Sequence, residues 1–338
     1  MTAADVIYLK HCWYEDMHGY PGFWDTVFES MRNPSVGDPL IPRSASSESV
    51  LNNWIGVTSV AENFYVSHDM MRLAMGASEA LDDDVTVQRQ SLPADNGFIV
   101  FGAPFRTWDI RGRVLTINAA LWGVRGSQVH VVMLVDKYDP TERMAISAGG
   151  WGGDWNSLPR LSPLHVSRFD FGQELPATMQ MVGHRPIPPE VTVNVRVDNG
   201  AVIWSADDEG LTSEGMHATV VVDPVAKLLT AVWRLMRQTL VAVEREEATD
   251  KRSRRLAEKH LRGDRHVTII RLRRTEYHGK GDRVWSLDHR VLVRGHWRRQ
   301  WYGSGDARWQ DMIYIHPHIR GPEGAPLVMT DTVNALVR

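Results

Sequence analysis

The sequence predicts an α+β fold, and three observations support this class. Segments rich in Val, Ile and Phe, bounded by Gly, Pro and Asp, recur between residues 97 and 151 and predict short antiparallel strands. Helical periodicity occurs before them and again after Asp223. Alternating segments return near the end of the chain. We therefore expect N-terminal helices, a central antiparallel sheet, a long amphipathic helix and a C-terminal β-hairpin sheet.

The first half of the chain supplies the N-terminal helices and the central sheet. Aromatic and acidic residues in segment 8–32 predict short helices, and the proline- and serine-rich segment that follows predicts a loop. Apolar spacing over residues 50–81 predicts one helix that contains His68. The central strands are predicted at residues 97–105, 113–123, 128–136 and 143–151.

A long helix is expected to begin at Pro224. Asp223 can cap its first turn, and Pro is favoured at the first helical position. Its apolar stripe contains Val225, Leu228, Leu229, Val232, Leu235, Met236 and Val243. The charged segment after residue 243 predicts a solvated continuation of this helix. Residues 266–274 then predict a strand that could join the C-terminal hairpin.

Charge divides the chain into two predicted regions. Residues 251–338 contain 19 Lys and Arg against 9 Asp and Glu, whereas the whole chain has a formal net charge of −3. We predict an acidic α+β region at 1–222 that could bind a protein partner, and a second region at 223–338 that contains the long helix and a basic β module. Such asymmetry indicates contact with DNA, RNA or another polyanion.

Composition limits the function classes. The only cysteine, Cys12, excludes an intrachain disulfide and a cysteine-based zinc or iron–sulfur site. No segment approaches the roughly 20 apolar residues of a membrane span, and the N-terminus has no basic stretch followed by an apolar run. We expect a cytoplasmic protein without a membrane partner. The motifs GxSxG, Walker A, HExxH and GxGxxG after a strand are absent, and we expect no cofactor.

Two alternating segments near the C-terminus predict the candidate site. In the first, Val291, Val293 and Trp297 alternate with polar residues, and in the second Ile313, Ile315, Pro317 and Ile319 do the same. Gly303 and Gly305 lie between them and suit a hairpin loop. If both apolar rows face the core, the basic, histidine and aromatic side chains share the opposite face.

This face predicts a nucleic-acid-associated binding or regulatory protein. Arginines would contact phosphates, and aromatic rings would stack on unpaired bases. The predicted nucleic-acid-binding residues are Arg271, Arg273, Arg290, Arg294, Arg298, Arg299, Gln300, Trp301, Tyr314, His316 and Arg320.

Four alternatives remain open at this stage. The face could be an ordinary solvated surface. His296 and His318 could be the acid and base of a metal-independent, ribonuclease-like phosphodiesterase, because imidazole titrates near neutral pH. His316 and His318 could form a metal site with His296 and a carboxylate, although the neighbouring positive charge opposes it. The chain could also be an assembly or regulatory partner without catalysis.

The run RGHWRRQWYG followed by IYIHPHIRGPEGAPLV resembles a family of uncharacterised actinobacterial and actinobacteriophage or plasmid proteins. These end in an RGHWRxQ…IxIxPHxxGPxxAPL pattern, and weaker similarity extends to NFYVSHDMMRLA and LPADNGFIVFGAPF. The resemblance implies a bacterial or phage setting and no catalytic assignment. The positions that match the pattern are Arg294, Gly295, His296, Trp297, Arg298, Gln300, Pro317, His318, Gly321 and Pro322.

Overall fold

The computed structural model describes residues 1–19, 47–108, 114–139, 159–182, 193–198, 201–206, 217–248, 250–260, 264–273, 289–321 and 325–328. The predicted strand at 143–151 lies outside these residues. The α-helices are α1 (Asp5–Gly19), α2 (Ser47–Val60), α3 (His68–Glu79), α4 (Pro224–Leu235) and α5 (Lys251–His260).

The strands fall into one large sheet and several small ones. The large sheet contains β1 (Glu62–Val66), β2 (Asn96–Trp108), β3 (Val114–Arg125), β4 (Gln128–Asp136), β5 (Leu161–Asp170), β10 (Val241–Glu247) and β11 (His266–Leu272). The others are β6 (Ala177–Val182), β7 (Val193–Asp198), β8 (Ala201–Ala206), β9 (His217–Val222), β12 (Arg290–Val293), β13 (His296–Tyr302), β14 (Trp309–Ile315), β15 (His318–Arg320) and β16 (Leu327–Val328).

The large sheet has the strand order β10-β11-β1-β2-β3-β4-β5. Strands β2 to β5 form the antiparallel meander, but β1 is parallel to both β2 and β11. The predicted α+β class is therefore confirmed, with a mixed sheet in place of a purely antiparallel one. Strands from both sides of residue 222 belong to this sheet.

The single helix predicted over residues 50–81 is wrong, because β1 interrupts it between α2 and α3. The segment ENFYV lies inside the sheet, where Phe64 and Val66 are buried. A strand in a sheet that is covered on both faces has apolar residues on both sides. It therefore lacks the alternation of polar and apolar residues that usually identifies a strand in a sequence. Ser67 ends the strand and caps α3 by accepting a hydrogen bond from the Met70 amide.

Helices cover both faces of the sheet. Alternate residues of β2 face opposite sides, so Ile99 and Phe101 belong to one hydrophobic cluster and Phe98 and Val100 to the other. The first cluster contains buried residues of α3 and α4, and the second contains residues of α1, α2 and α5. Each face therefore has its own core.

Helix α4 begins as predicted, and Asp223 accepts hydrogen bonds from the amides of Val225 and Ala226. Its predicted length is wrong, because the helix ends at Leu235 and the chain then forms β10 and α5. Val243 lies in β10 and is 45% exposed, so it does not belong to the apolar stripe. Strand β11 pairs with β1 and β10 rather than with the C-terminal hairpin.

The predicted C-terminal hairpin is confirmed over residues 296–315, but each predicted segment is divided, because β12 and β15 belong to a separate sheet. Strands β13 and β14 pair antiparallel, and Gly303 and Gly305 adopt φ values of 77° and 59° in the loop. Next to the hairpin, β12 pairs antiparallel with β15 and parallel with β16. In the part of the chain that the structure describes, no helix has the length and apolar character needed to cross a membrane.

Candidate nucleic-acid interface

Trp297 and Tyr314 pack the β13–β14 hairpin against the core that contains α3 and α4. The Trp297 indole Nε1 donates a hydrogen bond of 2.7 Å to the carbonyl oxygen of Ala77 on α3. The two rings pack with centroids 5.3 Å apart, and Tyr314 is only 4% exposed. Gln238, just after α4, accepts from the Tyr314 amide at 3.0 Å. The base of the hairpin is therefore part of the core beneath α3 and α4.

The register shows that the predicted arrangement of side chains on the hairpin was wrong. Trp297 lies opposite Tyr314, and Arg298 lies opposite Ile313. Residues directly opposite each other in an antiparallel pair share a face. The apolar row of β14 therefore shares a face with Arg298, and Tyr314 points into the core. Burial raises the pKa of Tyr314, and Glu79 acts in the same direction.

We call the outer part of the hairpin, residues 298–312, the hairpin tip, and exposed side chains lie on both of its faces. One face presents Trp301, which is 58% exposed, together with Arg299. The other presents Tyr302 and Trp309, whose rings stack with centroids 4.6 Å apart and planes inclined by 20°. Trp309 is 52% exposed. Large aromatic side chains left in water in this way are typical of binding surfaces.

The predicted binding residues do not form one continuous surface. Arg271 lies on β11 in the large sheet and forms ion pairs of 2.8 and 2.9 Å with Glu244 and Glu246, and Arg273 follows the same strand. Arg290 Nε donates to the Ala325 carbonyl oxygen at 2.7 Å, so it holds β16 in place. The exposed members within the C-terminal module are Arg294, Arg298, Arg299, Trp301, His316 and Arg320, and Gln300 is half-buried.

The arginines of the C-terminal module, residues 289–321, have few acidic neighbours. The module has six arginines and four histidines against two aspartates. None of these arginines forms an ion pair with a carboxylate of the described residues, and Arg298 instead donates to Gln300 Oε1 at 2.7 Å. Outside the module, by contrast, a carboxylate lies within 3.0 Å of Arg89, of Arg160 and of Lys227. Among the side chains that the structure describes, no carboxylate therefore neutralises the guanidinium groups of the module.

The sequence analysis missed three residues of the tip. Trp309, Tyr302 and Arg308 were not among the predicted binding residues, and only the register brings Tyr302 opposite Trp309. The alternation of aromatic and basic residues on both sides of the glycine loop was the available signal. It could not show which rings meet.

Three of the four histidines of the module, His296, His316 and His318, are exposed. Nδ1 of His296 lies 3.0 Å from the carbonyl oxygen of Arg294, and Nδ1 of His318 lies 3.0 Å from that of His316. A carbonyl oxygen only accepts, so each Nδ1 is the donor in its contact. The rings of His316 and His318 have centroids 6.1 Å apart. Among the described residues, no three His, Cys, Asp or Glu side chains are grouped to hold a metal ion.

Two glycines of the C-terminal sequence pattern have structural roles. A Cβ atom on Gly295 would overlap the Tyr314 hydroxyl oxygen and lie 2.8 Å from its Cζ. Gly321 has a φ of 134°, and a Cβ there would lie 2.8 Å from the Cα of Arg290. Packing therefore accounts for Gly295, Trp297 and Gly321 in the C-terminal sequence pattern. His296, Arg298 and His318 are among its exposed members.

Comparison with known proteins adds no functional assignment. No protein-family model matches the chain, and no curated protein matches it either. The crystal structure of AcrVA2 is similar to this chain at 11% identity over 94% of each chain, with a TM-score of 0.28. Similarity at that level carries no argument about fold or activity.

Proposed function

We propose that the chain binds unpaired nucleic acid through the hairpin tip. The observation that supports this most strongly is the exposed stacked pair of Tyr302 and Trp309, with Trp301 on the reverse face and arginines on both. Exposed aromatic rings can stack on an unpaired base, and the neighbouring guanidinium groups can bind the phosphates of the same strand. We also propose a cytoplasmic location and a bacterial or phage origin.

The aromatic and basic groups make different contributions to affinity. Stacking of a base on an aromatic ring contributes about 1–3 kcal/mol by alanine substitution and depends little on sequence. Arginine contacts release counterions, so affinity for a single strand falls with salt at a slope of about −0.7 per phosphate contact. Stacking residues should change affinity without changing this slope, whereas arginines should change both.

Fluorescence anisotropy with labelled twelve-nucleotide dT and U strands tests the proposal. Trp309→Ala should weaken binding by about 5- to 150-fold, which corresponds to one lost stack. Tyr138→Ala is the matched control, because Tyr138 is also an exposed aromatic residue, at 62%, but lies outside the module. Absence of binding by the unmodified chain at 50 mM salt, or equal affinity of the two variants, would contradict the proposal.

A metal-independent phosphodiesterase is the second candidate, and the exposure of two oriented histidines favours it. His296 and His318 are exposed, and the Nδ1 of each lies 3.0 Å from a backbone carbonyl oxygen that orients the ring, as suits a general base or acid. Arg294 and Arg298 would stabilise charge on the phosphorus oxygens. Cleavage of RNA in EDTA that is abolished in His296→Ala would support it, and unchanged cleavage in that variant would exclude this assignment.

A further inference from the structure

Helix α5 presents a second basic surface that the hairpin proposal does not use. Its ten residues contain Lys251, Arg252, Arg254, Arg255 and Lys259 against one acid, Glu258. The guanidinium of Arg252 lies 3.8 Å from the centre of the Tyr8 ring, and Lys259 lies 4.0 Å from Glu15.

Three of these cations have no ion pair among the residues that the structure describes. Lys251, Arg254 and Arg255 are exposed, and none forms an ion pair with a carboxylate of the described residues. Glu258, the one acidic residue of the helix, lies 3.7 Å from Arg265 instead. We call Lys251, Arg254 and Arg255 the α5 patch.

Helix stability does not explain the α5 patch. Lys251 and Arg254 lie at or next to the first turn, where the positive end of the helix dipole disfavours cations by about 0.3–1 kcal/mol each. Asp250 caps the helix and accepts a 2.8 Å hydrogen bond from the Ser253 amide, which offsets part of this cost. These hydrogen bonds lower the pKa of Asp250. Glutamate at Lys251 and Arg254 would stabilise the helix more than these cations do. We infer that the cations serve to bind an external anion.

The α5 patch and the hairpin tip lie on opposite sides of the large sheet. Ala257 of α5 is buried in the cluster with α1 and α2. Tyr314 and Trp297 at the base of the hairpin pack against the cluster that contains α3 and α4. The large sheet and a helical layer separate the α5 patch from the hairpin tip. Because a helix is about 10 Å across and packed layers are about 10 Å apart, this separation is on the order of 20 Å or more.

We propose that the α5 patch binds the phosphate backbone of a nucleic-acid duplex while the hairpin tip holds an unpaired strand. Helix α5 contains no Phe, Tyr or Trp, and the α5 patch itself consists of cations alone, so it offers charge without a stacking platform. Charge alone neutralises phosphates without reading bases. Since a short duplex is stiff, with a persistence length of about 150 base pairs, it cannot bend round the protein to reach both surfaces. The chain therefore joins two separate segments, a conclusion that rests on the proposed function.

A capture experiment tests this arrangement with the full chain. A twenty-base-pair duplex is immobilised, the protein is added, and a labelled twelve-nucleotide dT strand follows. The wild type should retain the labelled strand on the duplex. Arg254→Glu/Arg255→Glu should lose duplex binding and capture, but should still bind the strand in solution. The control Arg72→Glu/Arg245→Glu makes the same charge change at two exposed positions elsewhere and should behave as wild type.

Salt dependence provides an independent measurement. Three phosphate contacts give a slope of about −2.7 for a duplex, and loss of two should reduce its magnitude by about 2. Wild-type affinity for the duplex alone should fall about 40-fold between 50 and 200 mM salt.

The outcomes separate the two proposals. If the wild type binds no duplex, or if Arg254→Glu/Arg255→Glu binds it as wild type does, the α5 proposal is overturned while strand binding at the tip is unaffected. If Trp301→Ala/Trp309→Ala binds the strand as wild type does, the proposed function fails and bridging fails with it. Retention of the labelled strand by Arg254→Glu/Arg255→Glu on the duplex would also overturn bridging through α5.

Discussion

The contact between Gly295 and Tyr314 predicts a large effect from adding one methyl group. In Gly295→Ala the new Cβ would overlap the Tyr314 hydroxyl oxygen and lie 3.0 Å from Pro317 Cδ. The Tyr314 ring cannot easily retreat, because its backbone amide is bonded to Gln238 and its ring packs on Trp297. The hairpin base must therefore shift, or Tyr314 must leave the core.

Two costs decide the outcome. Shifting a packed element to admit a methyl group costs about 1–3 kcal/mol. Removing Tyr314 from the core would expose about 150–250 Å² and cost about 4–6 kcal/mol at 25 cal/mol per Å². The shift is cheaper, so we expect Gly295→Ala to lower the free energy of unfolding by about 1–3 kcal/mol. Tyr314→Phe removes the overlapping oxygen and should recover part of this loss in the double variant.

Urea unfolding of the four combinations, followed by tryptophan fluorescence, measures this coupling. Gly56→Ala is the control, because a Cβ there meets nothing within 4 Å and Gly56 lies inside α2. It should raise the free energy of unfolding by about 0.5–1 kcal/mol. Additive effects of Gly295→Ala and Tyr314→Phe, or an unchanged stability in Gly295→Ala, would refute the packing argument.

The half-buried Asp16 and the buried Lys10 give further predictions about pH. Burial raises the pKa of Asp16 to about 6 from 3.8, so folding favours its protonated form, and stability should fall as pH rises from about 4 to 6. Asp16→Asn keeps an oxygen for the amides of Arg160 and Leu161 and should remove that fall in unfolding measurements; an unchanged pH profile would contradict the assignment. Burial lowers the pKa of Lys10 to about 8 from 10.5, so the unfolded chain binds more protons between these values, and stability should rise with pH there. Lys10→Met should abolish that rise at the cost of the hydrogen bond to Ala61, and a rise that persists would argue against Lys10 as its source.

Local signals in the sequence determined several elements correctly. Asp223 and Pro224 fixed the beginning of α4, because capping depends on the residues of one turn. The strands predicted at 97–105, 113–123 and 128–136 match β2, β3 and β4 closely. Gly303 and Gly305 marked the hairpin loop through their access to positive φ. Each of these features is decided by neighbours along the chain.

Strand β1 and the end of α4 required the tertiary structure. The segment of β1 is compatible with a helix, and it becomes a strand because β2 and β11 pair with it on both sides. Its partners on β11 are about 200 residues away in the chain. Val243 has the spacing of the helical stripe, but it lies in the edge strand β10, which pairs with β11. Such long-range pairing overrides local propensity.

The sequence alone determined that the C-terminal module is a basic, aromatic hairpin, because alternation and loop glycines are local properties. Only the tertiary structure decided which side chains share a face. The loop between Tyr302 and Trp309 sets the pairing so that Trp297 meets Tyr314, and one residue more or less would exchange the faces of β14. Burial against α3 and α4 then fixes this register, since it places Trp297 and Tyr314 in the core and leaves Trp309 in solvent.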